Sequence, residues 1–363
     1  MDVYNMKLEN YNIYLEKTAD SYSKKVKKYL VKKFLHQGIV SNKGDISGQL
    51  EIGGGECIDI SGLGLDDQLR LCLRKEEGKK LFEKWEFEKD YKYAVLFETD
   101  DFENLWDNFG EVEPLTGLEN EFMAETFAEP IAHQTDNYRY LKFNLKFAAT
   151  NTYSDEEYLL KYPFIIVLHK NEKVVEFRFD VIKKIYLPER GGDKTYKILI
   201  EKVEEYLKEK YNCELKAMDL NFLININKDD ENVKLLSQCM NTPNGGNAQL
   251  NVGNNQEYVM PVIGELKALL ADYQGELEKV PTIKEALEQF LYEMEEMSDY
   301  PWIELLWENE IKTRSNRVKF IFDYMGQDYT LLQYYYNNLI GMERMNDVVK
   351  YIMHHRKGAK TTE

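Results

Sequence analysis

Carboxylates are the residues of this chain best placed to do chemistry. The stretch "YAVLFETDD" runs from an apolar segment, Tyr93 to Phe97, directly into Glu98, Asp100 and Asp101. Carboxylates leaving the C-terminal end of a strand are where hydrolases and phosphoryl-transfer enzymes hold Mg2+, so these three are the metal candidates. The competing reading is that Asp100 or Asp101 caps a helix over "FENLWDNF", with Glu103 well placed in its first turn. A second set is Asp180 with Glu214-Leu215-Lys216. In an acidic-x-Lys triplet of a metal-dependent nuclease, the acid binds the ion and the lysine steadies the attacking water. A helical pattern separates Asp180 from Glu214, whereas such a core needs adjacent strands.

Other chemistry finds less support. Gly53-Gly54-Gly55 is followed by no Lys, and Glu56, Asp59, Asp66 and Asp67 surround it, which opposes a phosphate loop. The histidines, His36, His133, His169, His354 and His355, form no HExxH or HxH pattern, and no Ser or Cys has a nucleophile-elbow setting. The cysteines (Cys57, Cys72, Cys213, Cys239) contain no CxxC pair, which argues against a zinc ribbon and for a reducing compartment. No cofactor is expected, and Mg2+ enters only with the hydrolase reading.

Charge is the most informative property. The net charge of −17 is unevenly distributed: the first 45 residues carry nine Lys against five acids, whereas 46–137 carry eight basic against 23 acidic residues. Between Tyr93 and Tyr138 there are twelve acids and no Lys or Arg. That segment would repel nucleic-acid phosphates. It reads as a solvated acidic face, a docking surface for a basic partner, or a mimic of nucleic acid. The Lys-rich "KKVKKYLVKKF" reads as a surface helix balanced by this acidic block.

The elements that position these residues read as an α+β fold: an N-terminal, mainly antiparallel sheet with flanking helices over 1–240, divisible near 137, then an all-α domain over 257–363. One helix is predicted over about Tyr14–His36, and a strand pair over Leu50–Ile60. The clearest β signal is "YLKFNLKF" followed by a hairpin turning near Asn171-Glu172. In its second arm Val175, Phe177, Phe179 and Val181 face inward, while Glu176, Arg178 and Asp180 line a solvated polar face. Alternation at Leu220, Phe222, Ile224 and Ile226 predicts another strand. Five or so helices are predicted beyond 256, among them "WIELLWENEIK", "NRVKFIFDYM", "YTLLQYYYNNLI" and "MNDVVKYIMHH". Between the domains, "NTPNGGNAQLNVGNNQ" (241–256) reads as an Asn/Gly-rich junction, with Ala248, Leu250 and Val252 forming a short pairing strand.

The first 17 residues show no basic region followed by an apolar core, and no apolar run is long enough to cross a bilayer. A cytoplasmic protein with no membrane association is therefore expected. Three consecutive tyrosines, Tyr334 to Tyr336, cannot all face one helix core, so part of the cluster with Trp302 and Trp307 reads as an interface. Leu250, Val252, Trp302, Trp307 and Tyr335 are the interaction candidates. The expected function is a non-enzymatic interaction subunit, adaptor or regulator that binds a protein partner or itself. Its composition suits a bacterial or phage multi-protein system, such as antiviral defence. The alternative is a metal-dependent nuclease or hydrolase built on the carboxylates above.

Overall fold

The structure is a computed structural model that describes residues 3–42, 58–109, 131–150, 157–188, 194–228, 233–242, 245–251, 266, 269–296, 298–308, 315–335 and 341–359. The chain is mixed α+β, with antiparallel strands and several helices. It forms two compact units, residues 1–216 with 339–343, and 217–338 with 344–363.

The first unit opens with α1 (Val3–Ser21) and α2 (Lys24–His36). The single helix expected here is interrupted because Ser23 adopts an extended conformation and accepts from the amide of Val26 at 3.4 Å, restarting the helix as an N-cap. Two short strands, β1 (Val40–Ser41) and β2 (Ile58–Asp59), pair in parallel. The expected partner strand at Leu50 and Ile52 lies outside the described residues. Next come α3 (Leu65–Arg74) and α4 (Glu76–Glu88). They turn so tightly that a Cβ on Gly78 would lie 1.9 Å from the carbonyl oxygen of Cys72, so only glycine fits. Tyr11, Leu15, Leu30, Phe34, Leu69, Leu73 and Phe82 form the core of this helical layer. Lys27 and Lys33 of the basic helix meet Asp66 at 2.7 Å and Glu88 at 2.8 Å.

Five antiparallel strands follow: β3 (Tyr93–Glu98), then, after α5 (Phe102–Asn108), β4 (Ile131–Gln134), β5 (Tyr138–Thr150), β6 (Glu157–His169) and β7 (Val174–Phe179). Their order is β4-β5-β6-β7-β3. The helix α6 (Thr195–Tyr211) packs on the apolar face, with Tyr206 against Phe143 at 5.0 Å and Tyr196 against Phe179 at 5.4 Å. The other face carries Lys142, Lys161, Glu176, Arg178 and His169, all completely buried. The solvated polar face expected at Glu176 and Arg178 is therefore not observed, because helices cover both sides of the sheet. Val181, expected inside, is 52% exposed.

What holds the helical layer to this charged face is an ion-pair network. Lys142 reaches Glu83 and, at 2.9 Å, Glu86, while Lys161 reaches Glu86 and, at 2.8 Å, Glu83. Tyr11 of α1 donates to Glu83 at 2.7 Å, and the amide of Lys161 donates to Thr18 at 2.7 Å. Burial alone would raise Glu83, but Lys142 and Lys161 outweigh it and hold the carboxyl well below the usual range. Burial likewise opposes the charge on Lys161, and Glu83 and Glu86 overcome it. Nearby, His169 meets Glu176 at 2.7 Å, and Arg178 meets the same carboxylate at 2.6 Å.

After β8 (Lys216–Ala217), the second unit begins with a 3-10 helix at Asn221–Lys228 where a strand was expected. Leu220, Leu223 and Ile226 are buried at every third position, the 3-10 repeat, and this outweighs the period-2 pattern. Then come β9 (Val233–Asn241), β10 (Asn247–Asn251), α7 (Gln274–Leu277), α8 (Pro281–Glu296), β11 (Asp299–Trp307), β12 (Asn316–Ile321), β13 (Leu331–Tyr334) and α9 (Glu343–Ala359). The all-α C-terminal domain is thus overturned: three of its expected helices are the strands β11, β12 and β13. The sheet order is β10-β9-β11-β12-β13, every pair antiparallel. Ile303, Leu305, Trp307, Val318, Phe320 and Leu332 alternate into the core; Met345, Val348, Val349 and Ile352 of α9 are buried as well, and its Tyr351 packs on Trp307 at 5.1 Å.

Removing one ammonium from the buried network leaves a carboxylate without compensation. Lys161→Met is expected to lower the unfolding free energy by about 3–5 kcal/mol; a urea titration showing less than about 1 kcal/mol would remove the network from its structural role. His169 adds a pH dependence. Burial holds its imidazole below the ordinary value, so its contribution is complete above about pH 6.5 and is lost as pH falls. The protein is therefore expected to melt at a lower temperature at pH 5 than at pH 7.5, and His169→Gln to narrow that gap; equal gaps in the two proteins would exclude His169 as the cause.

Candidate functional site

The carboxylate candidates are each drawn into a separate interaction. Asp180 accepts from Lys89, and from the amide of Lys92 at 3.1 Å, while its carbonyl accepts from the Tyr162 hydroxyl at 2.6 Å. Glu214 pairs with Lys208 at 2.7 Å on an exposed surface. Lys216 pairs with Asp100, also exposed. Asp101 occupies the N-cap of α5, its carboxylate accepting from the Asn104 amide at 2.8 Å rather than from a backbone amide. Glu98 is the last residue of β3. The structure thus joins Lys216 to Asp100, one residue from each proposed set, and gives Asp180 and Glu214 different partners. Among the described residues, no group of three His, Cys, Asp or Glu side chains could hold a metal ion. Residues 110–130 of the acidic 93–138 segment, with six of its twelve acids, lie outside the described residues.

The interaction candidates converge better. The register across the second sheet alternates side chains between the α9-covered face and the opposite one. On that opposite face, Trp302 and Glu304 of β11 stand beside Arg317 and Lys319 of β12. Gln333 of β13 lies across from Lys319, and Ser237 and Cys239 of β9 lie across from Glu304 and Trp302. Gln249 and Asn251 of β10 extend the row. Trp302, Lys319, Gln333 and Tyr335 are half-buried and Arg317 is exposed, whereas Ile303, Leu305, Phe320 and Leu332 on the other side are fully buried. Period-2 alternation thus separates a core from a wet, aromatic and charged face.

Two cations sit on two aromatic rings there. The Lys319 ammonium lies 3.6 Å from the Trp302 ring centre, and the Arg317 guanidinium 4.5 Å from that of Tyr335. Between them Glu304, only 4% exposed, accepts from Ser237 Oγ at 2.9 Å and from Arg317 Nε. Arg317 is thereby held through Nε, on one edge of its guanidinium. Burial lowers the Lys319 ammonium below its ordinary value, against the opposing effect of Glu304. The backbone continues the ladder at this end, the Tyr335 amide donating to the Arg317 carbonyl at 3.1 Å.

The remaining interaction candidates fall elsewhere. Trp307 is 8% exposed and packs on Phe320 and Tyr351, so it belongs to the core rather than to an interface. Leu250 pairs in register with Gln238 inside the unit, and Val252 lies outside the described residues. Arg317, Lys319 and Glu304 were not singled out from the sequence; the signal was alternation in "NRVKFIF", where Arg317, Lys319 and Ile321 share one face.

No family model matches this sequence, and no curated protein or solved structure matches it either.

Arg317→Ala is expected to lower stability by about 1–3 kcal/mol, because Glu304 stays buried with only Ser237 to satisfy it. Thermal melts of Arg317→Ala and of the Arg317→Ala, Glu304→Gln double variant check this: the double variant should recover part of the loss, and no recovery would show that the two side chains are not coupled.

Proposed function

We propose that this protein is a non-enzymatic interaction subunit that binds a protein partner through the open face of its second sheet. The observation that carries this reading is the pairing of Trp302 with Lys319 and of Tyr335 with Arg317 on a face that α9 does not cover. Tyr, Trp and Arg are the residues in which binding energy concentrates, since they combine a large apolar area with polar groups that survive desolvation. Here they stand on paired strands, so their positions are fixed before a partner arrives and little ordering entropy is lost. The buried Glu304 adds to this preorganisation by holding Arg317 from beneath.

Among the described residues, no helix is long and apolar enough to cross a bilayer.

The test is site-specific photo-crosslinking in the native host. A benzophenone amino acid at Gln333 is expected to give one discrete heteromeric adduct that disappears in a Trp302→Ala, Tyr335→Ala background. The same group at Glu288, on the exposed side of α8, is the control. Absence of an adduct at Gln333, or equal yields at both positions, would remove the reading.

A further inference from the structure

The cations of this face carry a second observation. Lys319 is half-buried and, among the described residues, no carboxylate lies within ion-pair distance of it, whereas Lys234 on the same face is paired with Glu308 at 2.9 Å. The carboxylate across from it, Glu304, is already bonded to Ser237 and Arg317, so the partly desolvated ammonium over its ring is open to a further anion. Arg317, two residues earlier on β12, engages Glu304 through Nε alone. Beside the Lys234–Glu308 pair, the described face therefore presents Arg317 and Lys319 above one buried carboxylate, Glu304.

Spacing narrows the anion. Arg317 and Lys319 lie on one side of the same strand, about 7 Å apart along it. Side chains on one side of any extended peptide repeat at the same interval, so acids two residues apart in an extended ligand match both cations. The intervening residues of such a ligand face away, and apolar groups two residues outside its acids, on the same side, would meet Trp302 and Tyr335. Gln249, Asn251 and Gln333 supply amides able to bond a peptide backbone. A nucleic acid fits less well: its affinity grows with the number of phosphates neutralised, and this face offers Lys319 and an Arg317 already paired with Glu304, in a chain of net charge −17.

We propose, resting on the interaction-subunit reading above, that the partner is recognised through an extended acidic segment, two carboxylates at i and i+2 bridging Arg317 and Lys319, with apolar side chains at i−2 and i+4 on Trp302 and Tyr335.

Fluorescence anisotropy on the full chain tests this, using a short labelled peptide whose every second residue reads Phe, Asp, Glu, Val, with Thr between them. Saturable binding is expected, weakened about tenfold or more in the Gln/Asn isostere and about fivefold or more by Lys319→Met. Lys350→Met, on the exposed side of α9, should bind as the parent does, and a thermal melt establishes that Lys319→Met is folded. Equal binding of peptide and isostere, an unchanged affinity in folded Lys319→Met, or tighter binding of single-stranded DNA or RNA than of the peptide would overturn the proposal. A crosslink at Gln333 with no affinity for the acidic peptide overturns this partner chemistry alone. Peptide binding without any crosslink leaves the acidic-peptide site in place and removes only the subunit reading.

Discussion

Glu83, Glu86, Lys142 and Lys161 meet where none of them is more than 4% exposed, and the architecture of the first unit follows from that constraint. Taking four charges out of water is costly, and the cost is recovered only when each ion finds its counterpart in good geometry. The two carboxylates come from adjacent turns of α4, the two ammoniums from neighbouring strands β5 and β6. A shift of the helix by one residue would separate all four partners at once. The network therefore sets the axial position of α4 on the sheet, while Tyr11 and Thr18 bring α1 to the same face. Apolar contact alone, being non-directional, would tolerate several placements.

The second unit uses similar residues with the opposite outcome. Glu304 is buried like Glu83, yet its cation Arg317 lies at the surface, with 49% of its side chain exposed. The difference is coverage: helices lie on both faces of the first sheet, whereas α9 takes one face of the second. A charge on the covered sheet becomes a positional pin, and a charge on the open one stays within reach of solvent. Both arise from strand alternation, which determines which side a residue takes but not what lies above it.

That distinction explains what was legible in the sequence. The hairpin of β6 and β7 could be read because Val175, Phe177 and Phe179 alternate with charged residues around a turn. The burial of Glu176 and Arg178 could not, since alternation looks the same beneath helices as in water. In the C-terminal part, "WIELLWENEIK" mixes Leu, Glu and Trp at spacings that satisfy a helix as well as a strand. Only pairing of β11 with β9 and β12 selects the strand, and such long-range pairing leaves no local mark. The helix α9 was legible, its apolar residues Val348, Val349 and Ile352 following a helical period. At the candidate site, Trp302 and Tyr335 could be picked out by residue type, whereas Lys319 and Arg317 gain their role from register alone.

The four-charge network also constrains how this chain can change over generations. Replacing either lysine by an apolar residue strands a carboxylate, and replacing either glutamate strands an ammonium, so each single step passes through a weakened fold. A well-packed apolar core at the same place could be equally stable, yet reaching it requires at least one Glu and one Lys to be exchanged together. Positions 83, 86, 142 and 161 are thus expected to change as a set or not at all, and related sequences should show covariation there before they show it on the open sheet face.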